Sequence, residues 1–321
     1  MTSPRDSASG VPGKAGRPWI VPGAVFVLGY TLMNAGKSVF EGHVLVSLTP
    51  AFIAFNCFVL AQVVYIGLHR DRKGLINRVR AHPGKVLIIN LTTLLSWLAV
   101  LYALASLEPV VVNGIVVGAI PLVTLALAPW LRPAMPIVTA EKIAAFGCSA
   151  SVIALTIVSM RGLSGLGALP PVVVVTGLIA ALLTAFGVAT NTYATRALTD
   201  AQFTSADIMS LRFTLLNIAA AGILFTQGGW TPYTGEVLAI ILVLTVVGVF
   251  LGIYWLQIGI ARTEPMTVSL LFATNLIFTF IVQLLDPRIA VSWSSFSAIL
   301  VLTAFTIYGT RAAFVDRARP A

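Results

Sequence analysis

The chain is short of charge. Of its 321 residues only 11 are Asp or Glu and 20 are Lys or Arg, a charged share of 10%, where a soluble domain carries about a quarter. A water-soluble fold could not cover its surface with so few charges, and a disordered chain needs the opposite composition. Cysteine is scarce too. Cys57 and Cys148 both fall within apolar stretches and read as small core residues, not as a disulfide or metal pair. The three histidines, His43, His69 and His82, lie in loops or at helix ends, so no metal and no cofactor is expected. No H-E-x-x-H occurs, nor any pair of carboxylates close together inside an apolar stretch. The chain is therefore not expected to be an enzyme. Long polar connections are also missing, the longest running from His69 to Gly84. The pI of about 10.0 stands beside a mean hydropathy of +0.96. The chain is basic because it is poor in acid, which argues against a nucleic-acid partner.

What is abundant is apolar residues, at 58%. A membrane-spanning helix needs about 20 of them in a row, and a β-barrel strand about half that with alternating polarity. Ten blocks are long enough: 19–40, 46–68, 85–105, 109–131, 139–160, 171–195, 205–226, 236–259, 264–285 and 290–310. The expected fold is an all-α polytopic membrane protein of ten transmembrane helices, with a disordered segment 1–18 and a tail 311–321. Its partner would be the lipid bilayer, and a homodimer is compatible with the sequence. With the N-terminus in the cytoplasm, 16 of the 20 basic residues fall on the cytoplasmic side, two outside (Arg161, Arg288) and two within spans (Lys37, Arg212). Loop Lys and Arg set orientation in this way. Both termini are expected to be cytoplasmic, in a multi-pass protein of the cytoplasmic membrane.

The blocks also repeat. Residues 19–160 and 171–310 align at an offset of 156, with Glu108-Pro109 opening the fourth block and Glu264-Pro265 the ninth. Five spans is an odd number, so the second set would enter from the opposite side. Inverted repeats are a mark of secondary transporters, whose substrate site lies near the midplane. The simplest reading of the Glu-Pro pairs is structural, since Pro suits the first helical position and a carboxylate complements the helix dipole.

Polar residues within spans mark a cavity or a partner, because an Arg at mid-bilayer costs about 2.5–3.5 kcal/mol on insertion scales. Arg212 lies about 10 Å into the seventh block, and its repeat partner is Asn56. A structural Arg212, bonded to carbonyls or paired with Asp207, is the competing reading. Tyr30, Asn34 and Lys37 share one helical face, matched in the sixth block by Phe186, Thr190 and Tyr193. One cavity between the first and sixth spans is expected from these faces. Asn113, Asn275 and the centrally placed Trp97 complete the candidate lining. Gly114/Gly118 and Gly248/Gly252 are GxxxG pairs suited to close helix packing. Gly36-Lys37-Ser38 lacks the upstream Gly of a phosphate loop, because position 31 is Thr. Asn90-Leu91-Thr92 matches a glycosylation sequon but falls inside the third block.

The stretch Leu98 to Trp130, with Pro121 late in the fourth block, and the sixth-block run from Gly177 to Leu198 resemble the drug/metabolite transporter superfamily, in particular its bacterial EamA-like members. Lys37 and Arg212 match basic positions common in that family. The departures are Gly29-Tyr30 in place of an aromatic-Gly pair, Asn56 in place of Arg, and Arg132 where an acid is usual. The ninth block also lacks the family's Pro around Asn275 to Ile277. The resemblance implies two EamA-like repeats and export of small polar metabolites, such as amino acids, by alternating access. Spans five and ten would be peripheral. Arg212 and Lys37 would favour an anionic group on the small-molecule substrate. No acid lies deep enough in a span to nominate as a proton carrier. The alternative is a non-transporting membrane protein, such as a lipid-modifying enzyme or a sensor-like scaffold.

Overall fold

A computed structural model describes residues 20–69, 71–131, 139–262 and 271–318. Those residues form helices joined by short turns, with no strand among them. In chain order the helices are α1 (Ile20–Val44), α2 (Pro50–Leu68), α3 (Arg72–Ala81), α4 (Pro83–Ser106), α5 (Pro109–Leu131), α6 (Thr139–Met160) and α7 (Pro171–Asp200). They continue as α8 (Ser205–Leu211), α9 (Thr214–Gln227), α10 (Gly235–Val243), a π-helical segment Leu244–Leu251, α11 (Gly252–Arg262), α12 (Asn275–Gln283) and α13 (Trp293–Ala318). Among the described residues, seven helices are long and apolar enough to cross a membrane: α2, α4, α5, α6, α7, the broken α8–α9 pair and α13. Gly235–Leu251 and Leu271–Gln283 are shorter apolar helices. The chain is a helical membrane protein. Glu264-Pro265, the second member of the repeated pair, lies outside the described residues.

Helix starts follow local chemistry. Pro50, Pro83, Pro109 and Pro171 each open a helix, where the missing N–H is no loss. Thr49 caps α2 by accepting from the Phe52 N–H at 3.3 Å. Two expectations need correction. The first block runs to Val44 and not to residue 40, which takes Glu41 into the helix. The connection from His69 to Gly84 is not a plain loop but contains α3, capped by Asp71, whose Oδ1 accepts from the Gly74 N–H at 2.9 Å. A search for apolar runs misses α3 because none of its residues is buried.

The helices pack in recurring pairs. α4 lies along α7, and α1 along α11. α5 meets α6 and α7, while α1 also meets α12. α6 packs on α13, and α2 on α8 and α9. Small residues set the closest approaches, as van der Waals contact is the main attraction between helices in lipid. A Cβ on Gly187 of α7 would sit 2.5 Å from the Ser96 nitrogen of α4. Gly114 and Gly118 of α5 admit Leu155 and Val152 of α6, as the GxxxG reading expects. Gly248 acts differently, making room for the side chain of Lys37, and Gly252 lies beside the Tyr30 ring. Both cysteines are free and buried in the core.

Gly187→Val should therefore force α4 and α7 apart, at a cost of about 1–3 kcal/mol or more for overpacking. Gly222→Ala in α9, where the added methyl meets nothing within 4 Å, should be neutral or stabilising by up to about 1 kcal/mol. Thermal unfolding of the detergent-purified variants reads both, and equal losses would contradict the close packing of α4 on α7.

Candidate functional site

The helix of the seventh block breaks at Arg212 and Phe213, between α8 and α9. A break frees backbone groups that must find other partners, and side chains supply them. The Leu215 N–H donates to Asn90 Oδ1 at 3.0 Å, and the Thr214 hydroxyl donates to the Leu211 carbonyl. Gln62 of α2 donates from Nε2 to the Ser210 carbonyl at 3.1 Å and to Thr214 Oγ1 at 2.7 Å. Its Oε1 accepts from Asn217 at 2.7 Å.

Arg212 sits at this break. Its Nη2 donates to Asn191 Oδ1 of α7 at 2.8 Å, its Nε to Thr93 Oγ1 of α4 at 3.3 Å, and Nη1 lies 3.9 Å from Met209 Sδ. Asn191 in turn donates to Thr92 and Thr93 at 3.0 and 3.1 Å. Every one of these partners is neutral. Guanidinium has five N–H donors, so some remain for an incoming anion. Asp207 is not its partner. That fully buried carboxylate accepts from the Arg78 guanidinium at 2.9 Å, meets His69 Nε2 at 2.6 Å, and forms a capping box with Thr204.

Lys37 is paired. Its Nζ lies 2.9 Å from Glu41, one turn along α1, with side chains 9% and 6% exposed. The same ammonium stands 4.8 Å from the centre of the Trp97 ring, within the range of a cation–π contact. Trp97 packs edge-on against Phe58 at 5.0 Å, Phe58 against Phe213 at 5.0 Å, and Arg212 lies 5.6 Å from the Phe213 ring. Three aromatic rings thus join the two cations.

The other candidates fall into separate groups. Asn34 donates to Asn275 Oδ1 at 3.3 Å, Asn113 donates to Thr279 at 3.1 Å, and Tyr30 meets Phe272 edge-on. Asn56 lies elsewhere, donating to the Phe52 carbonyl and accepting from the Tyr233 hydroxyl at 2.9 Å. It is Gln62, not Asn56, that carries α2 to the break. Tyr193 makes no side-chain hydrogen bond among the described residues, and Phe186 is 41% exposed. α1 packs chiefly on α11 and α12, and α7 on α4 and α5. The residue of α7 that matters is Asn191, two positions from Tyr193. Glu41, Asn191 and Gln62 are polar residues in or beside apolar blocks, a signal that sequence reading could have used.

Polar networks close both ends of this interior. On the face that carries Ile20 and Ala318, Asp207, His69 and Arg78 clamp α3 to α8. On the opposite face, Glu108 accepts from the Gly165 N–H at 2.7 Å, from Gln283 Nε2 and from the Ser295 hydroxyl. The Val110 N–H donates to Gln283 Oε1. Asp286 beside them accepts from Arg288 and lies 3.5 Å from His43.

No family model matches the chain, and no curated protein is similar to it in sequence. A solved structure, titled only as the crystal structure of a protein, is similar in fold. It matches 92% of this chain and 99% of its own, at a TM-score of 0.54 and 14% identity. That likeness concerns the fold alone.

Arg288 holds the Asp286 carboxyl down at about 2, below its unfolded value of about 3.9. A carboxylate depressed on folding adds stability that is fully present above the unfolded value and lost as pH falls through the folded one. Arg288→Ala should accordingly lower the melting temperature near neutral pH. The gap from the wild type should close between about pH 4 and about pH 2. A gap that stayed constant down to that pH would count against the ion pair.

Proposed function

We propose that the chain is a secondary transporter that exports small polar metabolites bearing an anionic group, amino acids and related compounds among them. Transport would proceed by alternating access across the cytoplasmic membrane. One observation carries this reading: Arg212 is held at a helix break in the bundle interior by neutral partners only. A cation so placed attracts a carboxylate strongly, because it is partly buried and has no counter-charge among the described residues. Broken helices with exposed termini are where transporters hold ionic groups.

On this reading ten spans form two inverted five-helix repeats, EamA-like in organisation, with both termini cytoplasmic. The packing pairs support it. Numbering the blocks from one to ten, the third lies on the sixth and the eighth on the first, while the fourth meets the sixth and the ninth meets the first. The second meets the seventh and the fifth meets the tenth. Each pair maps onto another, or onto itself, when the halves are exchanged. Arg212 anchors the anionic group, Asn191 and Thr93 orient it, and the rings of Phe213, Phe58 and Trp97 form an apolar wall. Tyr30, Asn34, Asn113 and Asn275 supply a second polar surface near α12.

Counterflow in proteoliposomes, with a panel of amino acids and short carboxylic acids, tests the reading. Loss of two charge-assisted hydrogen bonds, at about 1.5–3 kcal/mol each, should reduce flux by about 100-fold or more in Arg212→Ala. Expression and monodispersity should be retained. Arg212→Lys should recover only part of the flux, since an ammonium lacks the planar fork. A folded wild-type protein with no substrate-dependent flux would sink the transporter reading and return attention to a lipid-modifying enzyme or a scaffold. Unchanged kinetics in Arg212→Ala would remove Arg212 from the site.

A further inference from the structure

We propose that Glu41 carries a coupled proton, and that its charge state decides whether the Lys37 ammonium is free to meet the substrate's anionic group. The inference rests on the transporter reading and deepens it by assigning the energy coupling.

Four carboxylates are buried among the described residues: Glu41, Glu108, Asp207 and Asp286. Three are held by several donors from different parts of the fold. Asp207 accepts from the Thr204 N–H and Arg78 and meets His69; Glu108 accepts from Gly165, Gln283 and Ser295; Asp286 accepts from Arg288 and faces His43. Adding a proton to Asp207 or Asp286 weakens an ion pair, while Glu108 has, among the described residues, only neutral donors and no cation for its charge state to release. Glu41 differs. Among the described residues its side chain is bonded to Lys37 alone, a residue of its own helix at i,i+4. Protonation there breaks one ion pair and leaves the helix packing as it was.

Among the described residues the surroundings offer no competing charge. α2 presents the Cys57 thiol, α4 presents Trp97, and the π-helical segment presents Gly248 against the Lys37 stem. At the start of α5, Pro109 touches Gly42, and the neighbouring Glu108 is engaged with Gly165 and Gln283. Beyond α12, Asp286 faces His43 and Arg288. α11 meets α1 at Val27 and Gly29, about 18 Å along the helix from Glu41. Among the described residues Lys37 is therefore the one cation that the Glu41 charge holds.

The proton step balances simply. A proton from water adds to a Glu41 carboxylate oxygen, an O–H bond forms, and the site gains one positive charge. Lys37, still protonated, is left over the Trp97 ring without its counter-ion. An anionic substrate then meets a second cation beyond Arg212, so proton and anion favour each other's binding and travel together. Release of the proton on the far side restores the pair and expels the anion. A metabolite leaving down its gradient would carry protons out with it.

Vesicles reconstituted with the full chain test this, with a radiolabelled mixture of the proteinogenic amino acids, and separately succinate, as probes. In the wild type an acidic exterior should drive accumulation, approaching tenfold per pH unit for one proton per substrate, and a vesicle-trapped pH dye should report inward proton movement. Glu41→Gln should still perform counterflow exchange and lose the pH-driven accumulation, while Glu41→Asp should regain it. Accumulation in Glu41→Gln equal to wild type would overturn the proposal. So would wild-type accumulation that ignores the pH gradient or follows the opposite one. If Glu41→Gln proves not to fold on size exclusion, the wild-type dye signal decides, and its absence during flux overturns the coupling. Absence of any wild-type counterflow defeats the transporter reading first, a result distinct from uncoupled flux.

Discussion

The hydrogen bonds from Arg212 to Asn191 and Thr93 tie α8 to α7 and α4 at the point where the helical ladder opens. Holding a guanidinium there depends on the fit of α4 against α7. Gly187 and Asn191 lie one turn apart on the same face of α7. The first lets the backbones approach and the second spends that proximity on hydrogen bonds to Thr92 and Thr93. The break itself depends on Gln62 and Asn90, which accept or donate where the backbone cannot. Remove the close approach and the support for the cation goes with it. The polar centre and the apolar packing are one structure.

The buried carboxylates Asp207 and Glu108, at opposite ends of the bundle, are held by different chemistry. Around Asp207 the closure is ionic, with a guanidinium and an imidazole on one carboxylate. Around Glu108 the donors are neutral: a backbone N–H, an amide and a hydroxyl.

Much of the interior was legible in the sequence, and the misses have physical causes. Lys37 and Arg212 stand out because a cation in an apolar run is costly, and both are in the interior. Trp97 stood out by its distance from either end of its block, and it lies over Lys37. Glu41 was missed because hydropathy falls off before the helix does, so the block was closed four residues early. Asn191 lies off the stripe of Phe186, Thr190 and Tyr193, because packing on α4 turns another face of the sixth block inward. The break at Arg212 has no Gly or Pro to announce it. Its stability comes from residues far away in the chain, one of them an Asn that matched only a misplaced sequon.

The π-helical segment Leu244–Leu251 leaves the phase of the eighth block adjustable. A π turn is a helix with one surplus residue. The surplus can migrate when each amide trades one carbonyl for the next, without any amide being left bare. Residues that it passes rotate by about 100° about the helix axis, the angle of a single residue. Gly248 is the position on which the Lys37 stem rests, and its neighbours Val247 and Val249 both carry side chains. A shift of one residue would replace a bare backbone by a valine and push the stem aside. The helix phase at this point and the seating of the ammonium are thus a single variable.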